Sequence, residues 1–319
     1  MKIQDISILG KKISASVASV IAGKDDVVRL AVAALFAGGN LLLDDVPGTG
    51  KTTLAKTLAK SVDCEFRRVQ FTPDLLPSDL TGINYYNQKQ GDFVFRQGPV
   101  FTNILLADEI NRATPRTQSS LLECMEEHQV TADGATHLLT EPYFVIATQN
   151  PVETQGTFPL PEAQLDRFLV CTSIGYPSTE SAVEVLQRGS GEPPINSIAP
   201  VCHAEEIVEV QKSVRNVFVH PDLMAYLVAL TEKTRSLPEV SLGVSPRGSL
   251  ALLSAAKAWA AFSGRSYVIP EDIRQLAGPV FAHRMMMRES FGSERKAALK
   301  AVGSVLQTVD VPSEKWDKT

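Results

Sequence analysis

The stretch Leu41-Leu42-Leu43-Asp44-Asp45-Val46-Pro47-Gly48-Thr49-Gly50-Lys51-Thr52-Thr53 decides the fold. Three leucines read as a short buried strand, and beyond the loop Leu54, Ala55, Leu58, Ala59 and Val62 share one face of a helix. Strand, glycine-bearing loop, Lys-Thr and helix, in that order, are the setting of a phosphate-binding loop. Glycines let backbone N–H groups turn inward around phosphate oxygens, and the helix N-terminus adds partial positive charge. In this reading Lys51 bridges the β- and γ-phosphates and Thr52 places its hydroxyl on magnesium. Pro47, Gly48, Thr49, Gly50 and Thr53 complete the candidate nucleotide contacts. The strict pattern asks for glycine where this chain has Asp45, so a glycine-rich turn without a ligand is the competing reading.

Outward from the loop, short apolar runs alternate with helical patterns. They are Leu41 to Leu43, Phe66 to Phe71, Ile104 to Ala107, Phe144 to Ala147 and Leu169 to Ile174. Such runs interleaved with helices indicate a buried parallel sheet in an α/β domain. The third run ends in Asp108-Glu109, and strand ends of a parallel sheet open into the crevice where ligands bind. Asp108 is assigned to magnesium and Glu109 to the water that attacks the γ-phosphate. The fourth run leads into Gln149-Asn150-Pro151, where Asn150 either senses the γ-phosphate or is a turn asparagine before proline. Leu165-Asp166-Arg167-Phe168 closes a short helical stretch, and taken locally its Asp–Arg pair reads as an ordinary surface pair.

After Pro177 the strand signal fades. Gly189 to Pro194 reads as a linker or exposed turn. Helical periodicity follows, with Leu223, Tyr226, Leu227 and Leu230 on one face and Leu250, Leu253, Ala256 and Ala260 on another. Ile269-Pro270-Glu271-Asp272 reads as a further helix start. Ser245-Pro246-Arg247 has a capping serine, a proline at the first position and an arginine in the first turn. A cation there opposes the helix dipole, so Arg247 either faces a bound anion or is simply exposed. The expectation is an α/β domain over residues 1–177 and a smaller helical domain over 178–319, in keeping with about two domains for 319 residues.

Composition narrows the classes. A net charge of −5 argues against a chain held on nucleic acid by bulk charge. Cys64, Cys124, Cys171 and Cys202 form no CxxC pair, so reduced thiols in a cytoplasmic protein are the better reading than zinc or disulfides. Lys11-Lys12 before Ile13 to Ala22 faintly suggests a signal peptide, but the stretch is only modestly apolar and runs into Lys24-Asp25-Asp26. No run reaches the roughly 18 apolar residues of a membrane span.

Taken together, these residues resemble the MoxR-type AAA+ ATPases, within the group carrying an insertion in helix 2. The resemblance spans nearly the whole chain and is densest from Phe71 to Gly82, from Gly98 to Met125 and from Ala147 to Phe168. Loops of this group often lack the first glycine, which accommodates Asp45. The resemblance implies a five-stranded parallel sheet followed by a helical lid. It places Lys51 and Thr52 in Walker A, Asp108 and Glu109 in Walker B, and Asn150 at sensor 1. Arg167 matches the arginine finger given to a neighbouring subunit, Arg247 matches sensor 2, and Gly23 matches the segment that packs on adenine. Residues 83–96, around Gln90-Gly91-Asp92, match the helix-2 insertion. Residues 129–139, with Asp133-Gly134 at the centre, match the pre-sensor-1 hairpin.

What the resemblance implies is a magnesium-dependent ATP hydrolase that works as a homo-oligomeric ring, a hexamer, and remodels or matures a protein client. The client class it suggests is a protein with a von Willebrand factor A domain. Two rivals remain open at this stage: a nucleotide-gated binding module with weak hydrolysis, and a DNA-handling motor.

Overall fold

In the computed structural model, which describes residues 1–151, 156–188, 193–288 and 293–312, the leucine run becomes a strand at the centre of one unit. Helices α1 (Ile3–Ala18) and α2 (Asp25–Ala37) precede strand β1 (Leu41–Asp44). The loop then leads into α3 (Lys51–Ser61), β2 (Phe66–Gln70) and the short α4 (Pro77–Thr81). A hairpin of β3 (Gly82–Asn87) and β4 (Asp92–Gln97) comes next, followed by β5 (Ile104–Asp108) and α5 (Pro115–Glu127). A second hairpin pairs β6 (Gln129–Ala132) with β7 (Ala135–Leu138). The unit is completed by β8 (Phe144–Gln149), α6 (Glu162–Leu165), β9 (Val170–Thr172) and α7 (Thr179–Arg188).

Five of these strands form one parallel sheet in the order β2-β5-β8-β1-β9. Each coincides with one of the five apolar runs. Leu41, Leu42, Leu43, Ile104, Leu105, Leu106, Val145 and Ile146 are all fully buried, as a parallel sheet covered on both faces requires. The register sets Leu43 beside Thr148 and Ala107 beside Ala147, so the carboxyl ends of β1, β5 and β8 finish together. Helix α3 buries Leu54, Ala55, Leu58 and Ala59, the face read from the sequence. Asn40, between α2 and β1, accepts the Val145 N–H at 2.8 Å through its side chain and the Leu169 N–H at 2.8 Å through its carbonyl. One polar residue thus ties the start of β1 to both neighbouring strands.

The chain divides into two compact units, Leu9–Gln211 and Met1–Ile8 with Lys212–Thr319. The division comes later than the change of composition at Pro177. Residues past that proline are bonded back to the α/β unit: Lys60 Nζ donates to the carbonyls of Ile195 (2.9 Å) and Asn196 (3.1 Å). The Val201 N–H reaches the Ser61 carbonyl at 2.8 Å, and His203 Nδ1 meets Asp63 at 2.7 Å. Gln211 Nε2 donates to the Leu35 carbonyl at 2.8 Å. Of the expected linker, residues 189–192 lie outside the described residues.

Helix α8 (Ala204–Val214) runs across the division at Gln211, and beyond it the second unit is mainly helical: α9 (Pro221–Arg235), α10 (Pro246–Phe262), α11 (Pro270–Phe281) and α12 (Glu294–Thr308). A small antiparallel ribbon, β10 (Val240–Leu242) with β11 (Met286–Met287), accompanies them. The α9 face of Leu223, Tyr226, Leu227 and Leu230 is buried as expected. On α10 the expectation fails at Leu250, which is 66 % exposed, while Leu252 is fully buried. The buried face there runs from Gly248 through Leu252, Ala255, Ala256 and Trp259. Leu250 lies two residues from both Gly248 and Leu252, about 200° round the helix.

All four cysteines are free thiols, and burial pushes Cys64, Cys124 and Cys202 up to about 12. They therefore stay protonated, unreactive thiols at neutral pH.

In the helical unit a two-bond ion pair joins Arg265 to Asp272, with Nη1 to Oδ2 at 2.7 Å and Nη2 to Oδ1 at 2.6 Å. Asp272 is 2 % exposed and its Oδ2 also accepts the Ile269 N–H at 3.0 Å, which caps α11. Asp272→Ala removes cap and counter-charge together, so urea denaturation should show the unit destabilised by about 3 kcal/mol. A loss below about 1 kcal/mol would show that water replaces the carboxylate at little cost.

Candidate nucleotide site

The loop between β1 and α3 is open where a phosphate would lie. Gly48 and Gly50 have φ of 81° and 91°, in the left-handed region, and a Cβ built on either meets nothing within 4 Å. Glycine is needed there for backbone conformation, and the space above it is clear for a ligand. Lys51, the first residue of α3, is 8 % exposed, and its Nζ donates to the Asp45 carbonyl at 2.8 Å. Its charge is turned into the loop, against a carbonyl and not a carboxylate. Thr52 and Thr53 follow in the first turn of α3, both half-buried. Pro47 and Gly48 are exposed, and Thr49 donates to the Val46 carbonyl at 3.3 Å. This cradle, with a lysine and a hydroxyl at a helix N-terminus, fits a magnesium-bound polyphosphate.

Asp45, the departure from the strict motif, has a structural task. Its Oδ1 accepts the Val46 N–H at 2.9 Å and its Oδ2 accepts the Gly175 N–H at 2.8 Å. Its own N–H goes to the Gln149 carbonyl at 3.1 Å. Asp45 thereby fastens the start of the loop to the end of β8 and to the segment following β9.

Across the crevice, Asp108 ends β5 and is 8 % exposed. Thr148 Oγ1 donates to its Oδ1 at 2.6 Å, while Arg68 donates to its Oδ2 from Nε at 3.0 Å and from Nη2 at 2.7 Å. Glu109 takes φ 56° and ψ 50°, a left-handed conformation that is uncommon for a residue with a side chain. Its N–H donates to the same Thr148 hydroxyl at 2.8 Å. Its Oε2 accepts from Gln70 Nε2 at 2.6 Å and pairs with Arg112 Nη1 at 3.2 Å. The strained backbone turns the second carboxylate away from the strand line, so adjacent residues present two carboxylates in different directions.

Asn150 follows β8 and is 8 % exposed, one residue from the carbonyl that holds Asp45. Lys51, Asp108, Glu109 and Asn150 thus lie at neighbouring strand ends of one sheet. Other expected residues lie elsewhere. Arg167, just past α6, gives its Nη1 to the Leu122 carbonyl (2.9 Å) and to Glu126 Oε2 (2.9 Å), both on α5. Gly23 has φ 67° and sits so close to α7 that a Cβ there would collide with Ser181 Oγ. Arg247 belongs to the helical unit, exposed in the first turn of α10, where Ser245 Oγ caps the Gly248 N–H at 3.2 Å.

Sequence reading missed Thr148, Arg68, Gln70 and Arg112. Thr148 is the one hydroxyl of β8, following four apolar residues, and Arg68 and Gln70 alternate with half-buried residues on an edge strand. Both patterns were visible, but neither says which carboxylate the side chain meets.

Comparison with known proteins accords with this geometry. The family described as ATPase family associated with various cellular activities (AAA) matches residues 40–170, and the AAA lid domain matches residues 232–301. The chaperone MoxR1 of Mycobacterium tuberculosis is 39 % identical over 92 % of this chain and 80 % of its own. Protein MoxR of Methylorubrum extorquens is 30 % identical, covering 93 % of both chains. Protein YeaC of Bacillus subtilis, itself uncharacterized, is 49 % identical over 97 % of this chain and 96 % of its own. A crystallised ATPase candidate from Cytophaga hutchinsonii superposes with a TM-score of 0.88 at 36 % identity, over 97 % of this chain and 96 % of that one. A parallel sheet with a phosphate loop and a strand-end acidic pair defines a P-loop nucleotide-binding protein. The chain belongs to the MoxR family of AAA+ ATPases.

Thr148→Val keeps the volume of the side chain and leaves Asp108 Oδ1 and the Glu109 N–H without their buried partner. Chemical denaturation should show a loss of about 1–3 kcal/mol, with Thr148→Ser restoring most of it. Equal stability of the valine and serine variants would contradict the bridging role.

Proposed function

We propose that this chain is a magnesium-dependent ATP hydrolase, assembled as a hexameric ring in the cytoplasm, that remodels or matures a protein partner. The observation that carries the reading is the pair Asp108–Glu109, fixed at the end of β5 across from an open phosphate loop. When bound, magnesium-ATP supplies the transferable γ-phosphoryl group and a cation that neutralises charge on it. Lys51 binds phosphate once it leaves the Asp45 carbonyl, and Thr52 and Asp108 hold the cation. Glu109 accepts the proton of the attacking water, and Asn150 orients that water from the end of β8. Gly23 is assigned to the segment that packs on the base, and Arg247 to the sensor-2 role.

Arg167 completes the site of a neighbouring subunit. In its own subunit it rests on Glu126, and engaging phosphate means exchanging that carboxylate for a more highly charged anion. The partner role draws on two further observations. MoxR1 is named a chaperone, and the two hairpins present an exposed apolar surface. Tyr86 is 55 % exposed, Phe93 67 % and Leu138 77 %. A client with a von Willebrand factor A domain is the class we propose.

The hydrolysis reading is tested by phosphate release and by binding of a fluorescent ATP analogue. Lys51→Ala should lose binding. Glu109→Gln should bind ATP yet scarcely hydrolyse it. Arg167→Ala should retain ATP affinity while turnover falls by about 10³–10⁵. Near-normal turnover in the Arg167 variant would remove the finger assignment, and rapid hydrolysis by Glu109→Gln would remove the choice of base.

A further inference from the structure

Gln118 is fully buried in α5, and three backbone carbonyls converge on its amide nitrogen. Nε2 donates to Ile110 and Ala113 at 3.1 Å each and to Phe158 at 2.8 Å. An amide facing three acceptors has one workable orientation, nitrogen inward. Its own oxygen is buried and meets no hydrogen-bond partner among the described residues. An unsatisfied buried oxygen costs free energy, so a residue that only filled the core would be apolar. What Gln118 supplies is its donors.

The three carbonyls belong to two segments with separate tasks. Ile110 and Ala113 bracket the turn Ile110–Arg112, which begins directly after Glu109 and whose Arg112 pairs with that carboxylate. Phe158 opens the stretch that runs through α6 to Arg167. It is held at both backbone groups, since its N–H also donates to the Asn111 carbonyl at 2.6 Å. Further along α5, Leu122 and Glu126 take the Arg167 guanidinium. Ile110, Ala113, Leu122, Leu160 and Phe168 share one core cluster. Helix α5 therefore holds both ends of the segment that delivers Arg167, and Gln118 ties the first of those ends to the turn behind the acidic pair. Glu109 itself is held by other groups, Thr148, Gln70 and Arg112.

Resting on the reading of Arg167 as the residue lent to a neighbouring subunit, we infer that Gln118 is a positioning residue for that arginine. It touches neither nucleotide nor attacking water. It sets the segment from Phe158 to Arg167 against the turn that follows Asp108–Glu109. The arginine lent to the next subunit thus takes its position from the acidic pair of its own. A movement of that turn at one site reaches the neighbouring site through one amide.

The test mixes full-length variants and reads phosphate release. In rings of Glu109→Gln with Arg167→Ala, working sites draw Arg167 from the first chain and Glu109 from the second. Gln118→Met, of similar length but without the N–H donors, is added to one chain or to the other. Carried by the Glu109→Gln chain, it should lower the restored turnover by about ten- to a hundredfold. Carried by the Arg167→Ala chain, it should cost several-fold less. Gln118→Asn, a shorter amide that keeps the donors, should show the same asymmetry at smaller size, and it carries the test should the methionine variant not fold. Equal loss in both placements, a greater loss in the second, or none in either overturns the inference alone. Failure of the starting mixture to regain turnover overturns the shared-site reading, and this inference with it.

Discussion

The candidate site depends on one hydroxyl. Thr148, fully buried at the carboxyl end of β8, donates to Asp108 and accepts from the backbone of Glu109, so a single side chain fixes two consecutive residues on the adjacent strand. That is possible because the parallel register brings the ends of β5 and β8 level. The same register sets Asp44 beside Gln149, whose carbonyl holds the start of the phosphate loop. Loop, acidic pair and Asn150 are therefore positioned by one row of strand ends. An error of one residue in strand pairing would point every one of these groups at the wrong face.

The hairpins show the opposite regime. Each is a two-stranded ribbon outside the main sheet, and such ribbons are marginal without further packing. Here they support one another: the Phe95 ring stacks on His137 with centroids 4.0 Å apart, and Asn84 Nδ2 donates to Asp133 at 2.6 Å. Phe95 and His137 are spent on that contact, whereas Phe93 and Leu138 remain outward. A surface anchored on one side and apolar on the other suits contact with a partner.

Much of this was legible in the sequence because burial and chemistry there wrote themselves into short patterns. Five runs became the five strands; β1, β5 and β8, inside the sheet, are the most apolar because both their faces are covered, whereas edge strand β2 also carries Arg67, Arg68 and Gln70. Asp133-Gly134 became the two-residue turn of its hairpin, with φ of 48° and 81°, since that turn needs left-handed residues. Legibility ended where position depended on distant segments. Asp45 looked like a defect in the motif until its carboxylate was found capping Gly175, 130 residues away. Leu250 looked like core because helical spacing alone does not reveal which of two apolar faces is covered. Arg68 and Gln70 read as ordinary edge-strand polar residues, and only the pairing of β2 with β5 brings them to the acidic pair. The change of composition at Pro177 precedes the division into units because backbone bonds, invisible to periodicity, tie the following segment to the first unit.

In the proposed ring a working site is shared between subunits, with Glu109 from one and Arg167 from the next. Mixing the separately inactive Glu109→Gln and Arg167→Ala proteins measures this directly by phosphate release. In a mixed ring some sites combine an intact Glu109 with an intact neighbouring Arg167, so turnover should reappear and peak near equal proportions. Turnover that stays at the sum of the two separate variants at every ratio, with mixed assembly verified, would contradict it.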